Sequence, residues 1–207
     1  MKLGTKLSAA VLALVAAGAS APVIMDQFIR EVESSDRYEL KAYLDGAKVW
    51  TVCDGKTEGV TPQTVMTKEQ CDQWRQTEIG KRLAFARSVI KVPMSEPAWA
   101  GFGSFCYNVG TAGCGSSTAV KLINRGDQAG GCKAMLNWRY IHRDMPLAEA
   151  ERYLKVASNP SRVRRQIDEA RSKGLRTARV TVDCSDDQPW CKGVWVRRQQ
   201  ESELCSL

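Results

Sequence analysis

Hydrophobic residues recur at helical spacing along most of the chain, and this pattern predicts a largely helical protein. The first such helix spans residues 23–33. Start and stop signals, among them a Thr67–Gln70 capping box and the Ser95-Glu-Pro97 opening, favour further helices. They are expected near residues 67–90, from 95 onward, and at 117–124, 128–138, 147–155 and 160–173.

One segment alternates instead, and it predicts a β-hairpin. Residues 40–57 carry Tyr43, Val49, Trp50 and Val52 on either side of Gly46, so that aromatic and β-branched residues flank a turn residue. The chain is therefore expected to be an α+β protein, mainly helical, with one small hairpin near its start.

The N-terminus reads as a membrane signal. Two lysines precede an uncharged run from Leu7 to Met25, whose 19 residues are long enough for a helix to cross a bilayer of about 30 Å. Ten of these residues are Ala, Gly or Ser, so the gain from hydrocarbon is small. Two interpretations stay open: a weak signal anchor over residues 1–25, and a signal peptide cleaved after Ala19 or Ala21.

The composition limits which ligands the chain can be expected to bind and in which compartment it folds. The net charge of +7 favours an anionic partner, but no phosphate loop, zinc-finger spacing or aromatic-studded basic strand points to nucleic acid. The single histidine, His142, argues against a histidine-based metal site. Eight cysteines behind an export-like N-terminus predict disulfides formed in an oxidising compartment.

The chemistry is concentrated between Glu33 and Thr51. Glu33 ends the first predicted helix, and Asp45 stands at the Gly46 turn before a Val-Trp-Thr strand. Such an arrangement can place an acid and a base on opposite sides of one bond.

Four motifs carry a resemblance to a known family. They are Leu40-Lys-Ala-Tyr-Leu-Asp45 with Val49-Trp-Thr-Val-Cys53, then Gly59-Val-Thr-Pro62, then Phe105-Cys-Tyr-Asn-Val-Gly110 with Ile123-Asn-Arg-Gly-Asp127, and lastly Lys192-Gly-Val194 with Glu201-Ser-Glu-Leu-Cys205. In this order they resemble the phage-type, T4 lysozyme-like muramidases of glycoside hydrolase family 24. The resemblance implies a lysozyme-like fold with a hairpin lobe and a helical C-terminal lobe over residues 26–207, plus a basic helical insertion at about 140–183.

The resemblance also implies roles for the site residues. A Glu acts as the acid, an Asp nine positions later stays ionised, and a Thr six positions further holds a water, in an inverting mechanism. Asp45 and Thr51 fit the second interval, whereas Asp36 occupies the position of the Glu. Either Asp36 replaces the acid, or a three-residue insertion separates Glu33 from the hairpin. We favour Glu33, which needs burial against apolar side chains to stay protonated near neutral pH.

Further expectations follow from the same family. Asn108 would contact sugar or cap its own helix, and Trp50 would stack on sugar or pack in the core. The disulfides would be Cys53–Cys71, Cys106–Cys114, Cys132–Cys205 and Cys184–Cys191. Neither a metal nor an organic cofactor is implied.

The implied function is that of a phage or prophage endolysin that hydrolyses the β-1,4 bond between N-acetylmuramic acid and N-acetylglucosamine. Its partners would be peptidoglycan, the inner membrane through the N-terminal segment, and functionally a holin or pinholin. We expect a monomer, tethered to the periplasmic face of the inner membrane and then released. Two alternatives are an inactive wall-binding lysozyme-like protein and a secreted antibacterial muramidase with a cleaved signal peptide.

Overall fold

The computed structural model describes residues 6–34, 39–45, 48–53, 55–186 and 188–207. Within these ranges the chain is mostly helical, with two small antiparallel sheets. In chain order the elements are α1 (Ala9–Ala16), α2 (Ala21–Ser34), β1 (Tyr43–Leu44), β2 (Trp50–Thr51), α3 (Lys68–Val89), α4 (Glu96–Ser116), α5 (Thr118–Ile123), α6 (Gln128–Ala134), β3 (Tyr140–Pro146), α7 (Leu147–Leu154), α8 (Pro160–Ser172), β4 (Thr177–Asp183) and α9 (Lys192–Cys205).

Local chemistry sets the helix starts where the sequence predicted them. The Thr67 hydroxyl accepts from the Gln70 N–H at 3.2 Å, and the Gln70 side chain accepts from the Thr67 N–H at 2.8 Å. This capping box satisfies two donors that the first turn of α3 leaves without helical partners. Ser95 caps α4 in the same way, by accepting from the Ala98 N–H at 3.2 Å.

The chain divides into two compact units. The first contains the residues up to Met135 together with Gln199–Leu207, and the second contains Leu136–Arg198. The predicted insertion at about 140–183 lies inside the second unit. The boundary between the units falls within α9, and the predicted boundary at residue 25/26 falls within α2.

The first unit buries the N-terminal segment in its core. Leu7, Val11 and Ile24 are at most 6% exposed and pack with Leu83 of α3 and Leu204 of α9. The apolar run does not form one helix, because Gly18, with φ +70°, interrupts it between α1 and α2. A left-handed backbone of this kind suits glycine. Among the described residues, no helix is both long and apolar enough to cross a lipid bilayer.

Polar contacts fix the same segment. The Glu96 carboxylate accepts from the Ala21 N–H at 2.5 Å, at the start of α2. A carboxylate at a helix N-terminus also meets the positive end of the helix dipole. The Ser8 hydroxyl caps α1 and donates to Glu31 at 2.8 Å, which links α1 to α2.

The second unit has a sheet that the sequence analysis missed. We expected only one hairpin, but β3 and β4 pair over seven residues each, from Tyr140 opposite Asp183 to Pro146 opposite Thr177. Helices α7 and α8 lie between them in sequence and pack on one face of the sheet around Met145, Val180 and Ile167.

A buried polar network closes this unit. Burial works against a charged Asp183, but hydrogen bonds from the Ser185 hydroxyl and N–H and from Arg139 outweigh it and hold the pKa of Asp183 below its usual range. Burial and a hydrogen bond to Asp186 raise the pKa of Tyr153. The Tyr153 hydroxyl also accepts from the Asp183 N–H at 2.9 Å. These contacts join α7 to β4 and to the turn that follows it.

All four expected cysteine pairs are disulfides in the structure. Cys53–Cys71 joins the hairpin region to α3, and Cys106–Cys114 spans an interruption of α4. Cys132–Cys205 ties α6 to the end of α9, while Cys184–Cys191 closes a short loop in the second unit.

Candidate active site

The hairpin brings two of the predicted site residues to one face. Tyr43 lies opposite Thr51, and Leu44 lies opposite Trp50. The Asp45 N–H donates to the Val49 carbonyl at 3.0 Å, so the pairing continues toward the turn. Side chains alternate along a strand, and therefore Asp45 and Thr51 project from the same side of the hairpin. Diagonal neighbours of this kind lie roughly 7–8 Å apart between their Cα atoms.

Hydrogen bonds orient both side chains. Asp45 Oδ1 accepts from the Val49 N–H at 2.9 Å. The Thr51 hydroxyl donates to the Val49 carbonyl at 3.0 Å, and Thr51 is only 3% exposed. Because the hydroxyl proton is used in this bond, Thr51 Oγ1 can serve a neighbouring water only as an acceptor.

Glu33 lies at the end of the helix where the sequence predicted it, but its side chain does not have the predicted burial. It lies in the last turn of α2, one residue before the helix ends at Ser34, and its side chain is exposed. The expected burial against apolar side chains is therefore wrong for the described structure. The apolar residues before it, Phe28 and Ile29, face the core. Glu33 is a helical neighbour of Ile29, four residues earlier, but it lies in the last turn of α2, beyond the buried part of that face. Asp36 and Gly46 lie outside the described residues.

The two predicted sugar contacts differ in position. Asn108 is exposed on α4, two residues before Gly110, where φ +77° and ψ 162° interrupt the helix. It thus lies near a helix end, the position expected for its capping role. Trp50 is half-buried and, being next to Thr51 in β2, points to the opposite side of the hairpin.

Sequence reasoning missed an ion pair beside this region. Arg75 of α3 is 1% exposed, and its Nε donates to Asp26 of α2 at 2.9 Å. A second contact joins Arg75 to Asp72. A buried charge needs such partners, and these contacts fix α2, which carries Glu33, against α3. A charged residue at an inward helical position, four before Ile79, was the available signal.

Comparisons with known proteins identify the family of the chain. The sequence model of the phage lysozyme family matches residues 33–152. The SAR-endolysin of Escherichia phage 933W is 48% identical over 142 residues, which cover 66% of this chain and 78% of that protein. The probable prophage lysozyme of Escherichia coli K12 is 48% identical over 139 residues, or 64% of this chain and 76% of that protein.

A solved structure supports the fold. The endolysin from Escherichia coli O157:H7 phage FAHEc1 superposes with a TM-score of 0.58 at 21% identity, and the alignment covers 87% of this chain and 89% of that one. With the family match over more than half of the chain, these findings establish that the chain belongs to the phage lysozyme family and is a glycoside hydrolase of the muramidase type.

Proposed function

We propose that this endolysin cleaves the β-1,4 bond between N-acetylmuramic acid and N-acetylglucosamine with Glu33 as general acid and with Asp45 and Thr51 as the pair that orients water. The observation that carries the proposal is the hairpin register, which puts Asp45 and Thr51 on one face. An inverting glycosidase needs a carboxylate and a water on the side of the sugar opposite the acid.

The hydrogen bonds of the hairpin suit this task. A water that attacks carbon must aim a lone pair at it, so both of its protons should be held by acceptors. Thr51 Oγ1 is an acceptor because its own proton goes to Val49. The Asp45 carboxylate is the second acceptor, and it takes the proton as the new C–O bond forms. The same negative charge stabilises the cationic transition state.

The acid must be protonated when the substrate binds. Glu33 is exposed in the described structure, so the desolvation has to come from the substrate itself. A sugar ring seated against Glu33 displaces water from around its carboxyl group. Asp36 keeps the family interval of nine residues to Asp45 and is the alternative acid.

The remaining residues have supporting roles in this proposal. Asn108 would contact the sugar through its amide, since it is exposed beside the Gly110 interruption. Trp50 is kept as a packing residue of the hairpin, because it projects away from the face that holds Asp45 and Thr51.

The test is reducing-end release from purified peptidoglycan by the oxidised protein and three variants. Glu33→Gln should lower the rate about 100-fold or more, because general acid catalysis contributes about 10²–10⁴-fold. Asp36→Asn should act like the parent. So should the control Glu39→Gln, which changes an exposed carboxylate that has no role in the proposal. Loss in Asp36→Asn alone would transfer the acid role to that residue. An inactive but folded parent would favour the wall-binding alternative.

The N-terminal segment carries a second part of the proposal. We infer that residues 1–25 hold the chain at the periplasmic face of the inner membrane until a holin or pinholin depolarises it, and that the described structure is the released form. The printed names of the relatives, SAR-endolysin, support this. So does the core, because cleavage after Ala19 or Ala21 would remove buried Leu7 and Val11.

The mass of the exported protein tests whether the N-terminal segment is retained. Before depolarisation the protein should sediment with membranes at its full mass, and afterwards it should be soluble at the same mass. A soluble form that lacks residues 1–21 while the membrane is still energised would contradict the anchor and support the cleaved signal peptide.

A further inference from the structure

The second unit carries most of the net charge of the chain. Residues 136–198 hold 14 of the 30 Lys and Arg residues and 8 of the 23 Asp and Glu residues, a net charge of +6 out of +7. Peptidoglycan is anionic through the carboxylates of its peptide stems. A strongly basic unit attached to a muramidase is therefore complementary in charge to the substrate.

An exposed aromatic residue lies close to two guanidinium groups in this unit. Tyr140 is 42% exposed, and its ring centroid lies 5.0 Å from the guanidinium carbon of Arg139 and 5.6 Å from that of Arg162. Arg139 is already neutralised by Asp183 at 2.9 Å. Among the described residues Arg162 forms no ion pair, so its charge is available to a ligand.

Hydrogen bonds between α8 and the sheet hold Arg162 in position. His142 lies opposite Thr181 in the β3–β4 pairing, and His142 Nδ1 is 3.2 Å from Thr181 Oγ1. Gln166 donates to Thr181 Oγ1 at 2.9 Å and accepts from the Thr181 N–H at 3.1 Å. Arg162 stands one helical turn before Gln166 on α8 and shares its side of the helix. The two bonds of Gln166 thus fix the part of α8 that presents Arg162 to Tyr140.

We propose that these six residues, which we name the Tyr140 patch, bind a peptidoglycan strand outside the active site. The patch consists of Arg139, Tyr140, His142, Arg162, Gln166 and Thr181. A sugar ring packs on the exposed part of the Tyr140 side chain, and a carboxylate of the peptide stem accepts hydrogen bonds from Arg162. An aromatic ring offers apolar area to a sugar at low cost in conformational entropy. A guanidinium matches the geometry of a carboxylate with two parallel donors.

The proposal rests on the proposed function, because it takes peptidoglycan as the substrate. It adds a site in the second unit that recognises both the glycan and the peptide of the strand. Two consequences follow: loss of Arg162 should matter only where stems are present, whereas loss of Tyr140 should matter with or without them.

The experiment measures cosedimentation of the full-length oxidised protein with purified sacculi on ice, where binding is scored without hydrolysis. The variants are Tyr140→Ala, Arg162→Gln and Arg162→Lys, and Arg164→Gln is the matched control. Arg164 is exposed on the same helix but lies outside the Tyr140 patch. Near-ultraviolet circular dichroism checks that each variant is folded.

Arg162→Gln and Tyr140→Ala should each weaken binding about threefold to tenfold, the effect of one exposed charged or stacking contact. Arg162→Lys keeps the charge but not the two parallel donors, so its binding should lie between those of the parent and Arg162→Gln. Arg164→Gln should lie within about twofold of the parent. On chitin, a glycan of N-acetylglucosamine alone that carries neither stems nor carboxylates, Arg162→Gln should bind like the parent, whereas Tyr140→Ala should still be weaker.

Three results would overturn the proposal. Binding by Arg162→Gln equal to the parent on intact sacculi would remove the carboxylate contact. An equal loss in Arg164→Gln would show attraction by diffuse charge. The same variants are also tested on vesicles containing phosphatidylglycerol. If they lost binding to these vesicles but not to sacculi, the patch would contact a membrane surface instead. None of these depends on hydrolysis, so a failure of the muramidase assignment would appear separately, as absent reducing ends.

Discussion

The burial of Val11 gives a direct test of whether the N-terminal segment is part of the folded enzyme. Val11 is 0% exposed, and it packs in the cluster formed by α1, α2, α3 and the end of α9. Val11→Ala removes two methyl groups, worth about 0.8 kcal/mol each, and leaves a cavity that the neighbours fill only in part. We therefore expect a loss of about 2–3 kcal/mol in the free energy of unfolding.

Val23→Ala is the matched control. Val23 is 48% exposed in α2, so the same substitution should change stability by less than about 0.5 kcal/mol. Both changes replace Val by Ala in a helix and gain the same helix propensity. The difference between them therefore isolates burial.

Calorimetry of the released, oxidised protein measures the effect. For a chain of this size about 1 kcal/mol shifts the melting temperature by roughly 2–4 °C, so Val11→Ala should melt about 5–10 °C below Val23→Ala. Equal melting temperatures would refute the reasoning, because Val11 would then lie outside the cooperative core or would be absent from the mature protein.

Three further predictions concern packing, charge and catalysis. Gly101→Ala should destabilise by about 1–3 kcal/mol in urea unfolding, because a Cβ there would lie 2.6 Å from a backbone nitrogen of α9, whereas Gly80→Ala, in open space on α3, should stabilise by about 0.5–1 kcal/mol. The pKa of Asp183 is lowered in the folded state, so its charged form stabilises the fold fully above the unfolded pKa of about 3.9, and this stabilisation is lost as pH falls through the folded pKa. Arg139→Gln removes one of the hydrogen bonds that lower this pKa, so it should reduce the loss of unfolding free energy measured between pH 5 and 2. Thr51→Ser should keep most of the activity on peptidoglycan because it keeps the hydroxyl acceptor, and Thr51→Val, which removes it, should lower kcat at least tenfold.

Helix starts were predictable because short-range chemistry decides them. The Thr67 capping box and the Ser95 cap act within three residues, and α3 and α4 begin at Lys68 and Glu96 as those signals require. The exposure of Glu33 could not be predicted in this way. Whether the end of a helix is covered depends on side chains distant in sequence, about which the local pattern carries no information.

The second sheet was missed for a specific physical reason. In β4 the buried positions Ala178, Val180 and Val182 alternate cleanly, which is the signal of a half-buried strand. In its partner β3 the corresponding position between Ile141 and Met145 is Arg143, and the alternation is broken. The Arg143 guanidinium lies 4.2 Å from the centroid of the Trp190 ring, so a cation–π contact replaces the apolar side chain that the pattern requires.

The N-terminal segment shows a deeper limit of pattern reasoning. A helix that is apolar on all sides can lie either in a bilayer or in a protein core, since the same apolar side chains are stabilised in both environments. In the structure the choice is made by contacts from distant residues: the Glu96 carboxylate caps α2 at Ala21, and the Glu203 carboxylate accepts from the Lys6 N–H at 2.8 Å. A small residue at Gly18 permits the break between α1 and α2. The composition that makes this run a weak membrane helix, rich in Ala, Gly and Ser, is thus also the composition that allows two short helices to pack closely inside the enzyme.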